Sequence, residues 1–73
     1  MEDSLADRVN KIYNNGLKDV IEQFYGFNDI KIEQQFMPKD PNIAKNIIMA
    51  VFVHQGIKHS VYVYVLPNFI MIH

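Results

Sequence analysis

The sequence predicts a single α+β domain over residues 1–73, with an N-terminal helix packed on a four-stranded antiparallel meander sheet. Three observations lead there. Apolar residues recur at three- and four-residue spacing through the first third of the chain, the period of a helix with one buried face. After Gly26 the period changes to two. The stretch Asn46–Leu66, NIIMAVFVHQGIKHSVYVYVL, then reads as two strands folded back on each other at Gln55-Gly56, since β-branched and aromatic residues favour a pleated, buried surface.

The helix begins at Ser4, whose hydroxyl can accept from an unpaired backbone N–H, with Asp7 placed where a capping acid favours the helix dipole. Leu5, Val9, Ile12, Tyr13, Leu17, Val20, Ile21 and Phe24 form the stripe. Asn14-Asn15-Gly16 lowers helix propensity within it. The stripe stays in phase across this triplet, so the expectation is one helix of about twenty residues, straight or kinked. Gly16 falls on the stripe, which points to a close approach to the sheet. Gly26 is the expected stop.

From Asp29 to Met37, Ile30, Ile32 and Phe36 lie on one face and Lys31, Glu33 and Gln35 on the other, as in a half-exposed strand near an edge. Met37–Ala44 holds two prolines and reads as a loop. A turn at Gln55-Gly56 places Phe52 opposite His59, Ala50 opposite Val61 and Ile48 opposite Val63. A turn displaced by one residue swaps every face. Pro67-Asn68 forms a second turn, and Phe69-Ile70-Met71-Ile72 a short final strand.

At 73 residues a domain buries only about 60% of its unfolded surface. There is no Cys, so no disulfide or thiolate metal site reinforces it, and association is the remaining means. The net charge is −1, which implies neither a strong field for nucleic acid nor a global acidic mimic of it. Residues 1–33 carry seven acids against four bases, and residues 34–73 one acid against three bases. The acidic start, MEDSLADR, lacks the apolar core of a signal peptide, and no apolar run has the length of a membrane span. A cytoplasmic location is expected.

One helix covers one sheet face. The face with Ile48, Ala50, Phe52, Val61, Val63 and Val65 is the natural one. Met49, Val51, Val53, Tyr62 and Tyr64, with Ile47, are then left without cover. Burying several hundred Å2 of such surface is worth on the order of 10 kcal/mol before association costs, and soluble monomers rarely expose that much. A homodimer is expected, through this face or through the final strand, where Phe69 and Met71 join the interface. The alternatives are a different protein bound on this face, and a compact barrel-like monomer in which the helix kinks and the last strand folds over.

Chemistry is sparse. Ser4 and Ser60 are the only serines, and Thr and Cys are absent, so no nucleophile, base and orienter set is apparent. His54 and His59 flank the hairpin turn but lack a third ligand nearby in sequence. No catalytic residue, metal or cofactor is expected. Tyr62 and Tyr64 with Lys58 offer a possible stacking platform for single-stranded nucleic acid, the competing reading, although cations around it are few.

Gln23-Phe24-Tyr25-Gly26-Phe27 resembles the short peptide by which bacterial proteins dock on the replication sliding clamp, matching its Gln and terminal aromatic residue, with Gly26 in place of an apolar residue. The Asn-, Ile- and Lys-rich composition, without Cys or Trp, resembles that of small host-takeover proteins of phages infecting low-GC Gram-positive bacteria. The resemblance implies a non-enzymatic inhibitor of a larger host protein, such as the sliding clamp, acting in the host cytoplasm. Asp7, Asp19, Glu22 and Gln23 on the helix, with Glu2 and Asp3 before it, are the expected contact, joined by Lys39 and Asp40 in the loop.

Overall fold

The computed structural model describes residues 4–40 and 42–73. The chain runs as α1 (Leu5–Lys11), a wide π turn (Ile12–Gly16), α2 (Leu17–Tyr25), then β1 (Lys31–Phe36), β2 (Ile47–His54), β3 (Ile57–Val65) and β4 (Ile70–Ile72). The strands form one open antiparallel sheet in the order β1-β2-β3-β4, and the helix lies across one face. This is the α+β meander expected from the sequence; the sheet does not close into a barrel.

Ser4 caps α1 as expected, its Oγ accepting the Asp7 N–H at 3.1 Å. Asn14, Asn15 and Gly16 do not break the helix. They occupy a turn of i→i+5 character, which takes up one extra residue and brings Leu17 back beneath Ile12. The buried helix face is therefore Val9, Ile12, Leu17 and Ile21. Two expectations are corrected here. Gly16 makes no close approach to the sheet, since a Cβ there meets only the Lys11 carbonyl at 3.8 Å. Phe24 leaves the stripe and is 47% exposed. Gly26 ends α2 at φ 73°, a left-handed position that glycine adopts without steric cost.

The hairpin has the expected register, with Phe52 opposite His59, Ala50 opposite Val61 and Ile48 opposite Val63. Gln55 and Gly56 both have positive φ, 51° and 78°, as a two-residue hairpin turn of matching twist requires. Ile48, Ala50, Phe52, Val61, Val63 and Val65 meet the helix in the buried core, with Ile30 beside them.

Strand β1 departs from strict alternation. Ile32 opposes Phe52, but Gln34 opposes Val51, so Glu33 is the extra residue of a β-bulge. Beyond it the parity reverses. Gln35 opposes Ala50 on the helix side, and Phe36 opposes Met49 on the other. The expectation that Phe36 shares a face with Ile30 and Ile32, and Gln35 the opposite one, is thus overturned.

Long-range polar contacts fix the layers. Arg8 donates from Nη1 to the carbonyls of Leu66 and Pro67, at 2.5 and 2.7 Å, tying α1 to the β3–β4 turn. Glu22 Oε2 accepts the Ile30 N–H at 3.1 Å, holding the entry to β1 against the end of α2.

Candidate interaction surface

Pairing across the sheet sets the uncovered face out in four rows. Ile47, Tyr64 and Met71 are directly opposed in the first, and Phe36, Met49 and Tyr62 in the second. Gln34, Val51 and Ser60 make the third, and Lys31, Val53 and Lys58 the fourth. Because each row comes from three adjacent strands, its side chains sit within contact range. The face is therefore graded. Two apolar rows lie toward the β3–β4 turn, and two mixed rows toward the hairpin turn.

None of the six residues in the apolar rows belongs to the buried core. Phe36 and Tyr62 are each 45% exposed and Met71 51%. The molecule is only 19 Å through its thinnest axis, the thickness of one helix on one sheet, with no third layer. Of the residues expected at an interface, Met49, Tyr62, Tyr64 and Met71 come together here. Val51 and Val53 share the face, but stand between Gln34 and Ser60 and between two lysines. Phe69 is exposed just before β4.

Phe36 is the residue that sequence reasoning placed wrongly. The available signal was Gln34, a polar residue where uninterrupted alternation requires an apolar one.

The other expected contacts are dispersed. Asp19, Glu22 and Gln23 flank a shallow depression of about 300 Å3 with Phe27. The Glu22 carboxylate accepts the Ile30 N–H, which fixes its place at the end of the acidic helix face. Asp7 lies apart at the start of α1, and Glu2 and Asp3 lie outside the described residues. Lys39 and Asp40 border an open groove of about 530 Å3 with Tyr13, Phe36, Met37 and Lys45. Asp40 also shapes its own loop, Oδ1 accepting the Asn42 N–H at 2.9 Å, a local turn that acidic side chains favour; Pro41 lies outside the described residues.

The histidines belong to an aromatic cluster. His54 stacks on Phe27 with centroids 3.8 Å apart, and His59 stacks on Phe52 at 4.9 Å. Phe27 also stacks on Tyr25 at 5.1 Å. The segment Gln23–Phe27 is consequently a helix end whose last ring is held between two others. Lys58, the cation expected beside the tyrosines, is paired with Glu33 at 3.1 Å and stands two rows from Tyr62.

Among the described residues, no group of three or more His, Cys, Asp or Glu side chains could hold a metal ion, and no helix is long and apolar enough to cross a membrane. No protein-family model, curated protein or solved structure matches the chain.

Proposed function

We propose that this chain is a non-catalytic, homodimeric binding protein that blocks a larger protein through the apolar half of its open sheet face. The observation that carries this reading is the contiguous set Phe36, Ile47, Met49, Tyr62, Tyr64 and Met71, without cover in the fold. Charge is absent from its centre, and Tyr, Met and Phe make up most of it. That is the composition of the buried centre of protein interfaces, and aromatic residues there supply most of the binding energy. The polar rows beside it, with the Glu33–Lys58 pair, supply a rim that sets orientation more than affinity.

The sliding clamp is the candidate target that the resemblance supplies. A clamp contact through Gln23–Phe27 requires the Phe27 ring to leave its stack between Tyr25 and His54, whereas the sheet face needs no rearrangement.

The test is capture by tagged protein from a nuclease-treated lysate of a low-GC Gram-positive bacterium, with purified clamp assayed in parallel. A single protein retained by the wild type and by Asp19→Lys, but lost with Met49→Glu, supports the reading. Loss with Asp19→Lys and retention with Met49→Glu moves the contact to the helix face. Binding that disappears on nuclease treatment replaces the reading with the tyrosine platform for nucleic acid.

A further inference from the structure

The two edges of the sheet differ, and the difference identifies where a second copy joins. Strand β1 is guarded. It carries Lys31 and Glu33, contains the bulge, and its Gln35 carbonyl already accepts the Tyr13 hydroxyl at 3.2 Å. Charges and bulges are the devices that keep sheet edges from pairing with other chains. Strand β4 has neither.

The free hydrogen-bonding groups of β4 follow from its ladder. Tyr62 and His73 exchange both backbone bonds, at 3.1 and 3.0 Å. Bonded and non-bonded pairs alternate in an antiparallel ladder, so Tyr64 and Met71 form the next bonded pair. The N–H and C=O groups of Ile70 and Ile72 therefore point away from β3, at the free edge.

Building on the homodimeric reading above, we propose that two copies pair antiparallel through β4, with Met71 on the two-fold axis. In this register Ile70 bonds Ile72 of the second copy and Ile72 bonds its Ile70, so four backbone bonds form and every outward group of β4 is satisfied. A register centred on Ile70 instead sets Ile72 against Asn68, which lies in the turn. The side chains agree with the Met71-centred register on both faces. On the open face the row Ile47, Tyr64, Met71 continues directly into Met71, Tyr64 and Ile47 of the second copy. On the helix side, half-buried Ile72 meets Ile70 of the second copy and joins the two cores. The product is one eight-stranded sheet in which the row Ile47, Tyr64, Met71 runs unbroken across the axis, while the row of Phe36, Met49 and Tyr62 ends at His73 in each copy, so a target sees a wider apolar face.

The chain has no cysteine, which makes the test direct. Met71→Cys places two thiols on a non-bonded pair about 4.5 Å apart between Cα atoms, within disulfide reach. Under mild oxidation without any target, it is expected to run almost entirely as a covalent dimer, while Val51→Cys remains uncrosslinked. Met71→Lys sets like charges against each other at the axis and is expected to weaken dimerisation at least tenfold by sedimentation, with an unchanged circular dichroism spectrum. Cross-linking of Val51→Cys but not Met71→Cys overturns the proposal in favour of face-to-face pairing, and a wild-type chain that sediments as a monomer at high concentration overturns it outright. A monomer that still captures its target refutes the edge pairing and the homodimer, and leaves the binding role standing. A cross-linked dimer that captures nothing upholds the pairing and refutes the reading it builds on.

Discussion

Tyr13 and Gln35 hold each other by two hydrogen bonds running in opposite directions. Gln35 Nε2 donates to the Tyr13 carbonyl at 2.6 Å, and the Tyr13 hydroxyl donates to the Gln35 carbonyl at 3.2 Å. Tyr13 sits in the wide turn of the helix and Gln35 two residues beyond the bulge of β1. Each irregularity thus supplies a partner for the other: the bulge turns Gln35 toward the helix, and the turn presents a carbonyl for it to bond.

Gln35→Ala removes the shorter bond and strands a half-buried carbonyl. The expected loss is about 1–3 kcal/mol, and Tyr13→Phe, which removes the longer bond, costs about 1 kcal/mol. Urea midpoints at constant slope measure both. Equal effects refute the assigned roles.

The hairpin turn offers a gain. Gln55 is a non-glycine residue at φ 51°, where Asn is better tolerated. Gln55→Asn is expected to stabilise by about 0.5 kcal/mol. Gly56→Ala meets no atom within 4 Å but must hold φ 78°, so backbone strain alone costs about 1 kcal/mol. Thermal melts of both variants check the pair.

Arg8 ties the helix start to the β3–β4 turn, a long-range contact for which no sequence signal existed. Arg8→Met keeps the apolar stem and loses both carbonyl bonds. A cost of about 1–2 kcal/mol is expected, with faster amide exchange in β4 than in β2. Arg8→Lys restores little, because an ammonium cannot reproduce the guanidinium fork. Uniform exchange across the sheet contradicts this.

On the open face, Tyr62→Ser is expected to leave stability within about 1 kcal/mol, since the ring is half exposed, while weakening target binding at least tenfold. A titration of target against folded variant measures this, and unchanged affinity removes Tyr62 from the contact.

The legible parts of the fold were those set by local chemistry. Ser4 marks the helix start, Gly26 its end and Gln55-Gly56 the turn, and the hairpin register follows once the turn is fixed. Phe36 was misread because a bulge belongs to the ladder between two strands and leaves only a weak trace in one of them; here the trace was the paired glutamines. The wide helical turn was legible as weak propensity at Asn14-Asn15-Gly16, but its geometry depends on Gln35, twenty-two positions from Tyr13 in sequence. Of the candidate surface, Met49, Tyr62 and Tyr64 followed from alternation. The grading from apolar to charged rows did not, because it needs all four strands in register at once.

The sheet repeats the order of the chain, each strand lying beside its neighbour in sequence. Assembly can therefore spread outward from the β2–β3 hairpin, the pairing with the shortest loop to close. Val63→Ala in the hairpin is expected to slow folding, and Ile72→Ala at the edge mainly to hasten unfolding; the reverse assignment refutes this order. The helix leaves the ribosome before the strands, yet it has no floor until β3 has emerged. Val9, Ile12, Leu17 and Ile21 stay in water until then, an exposed apolar stripe of the kind that chaperones capture.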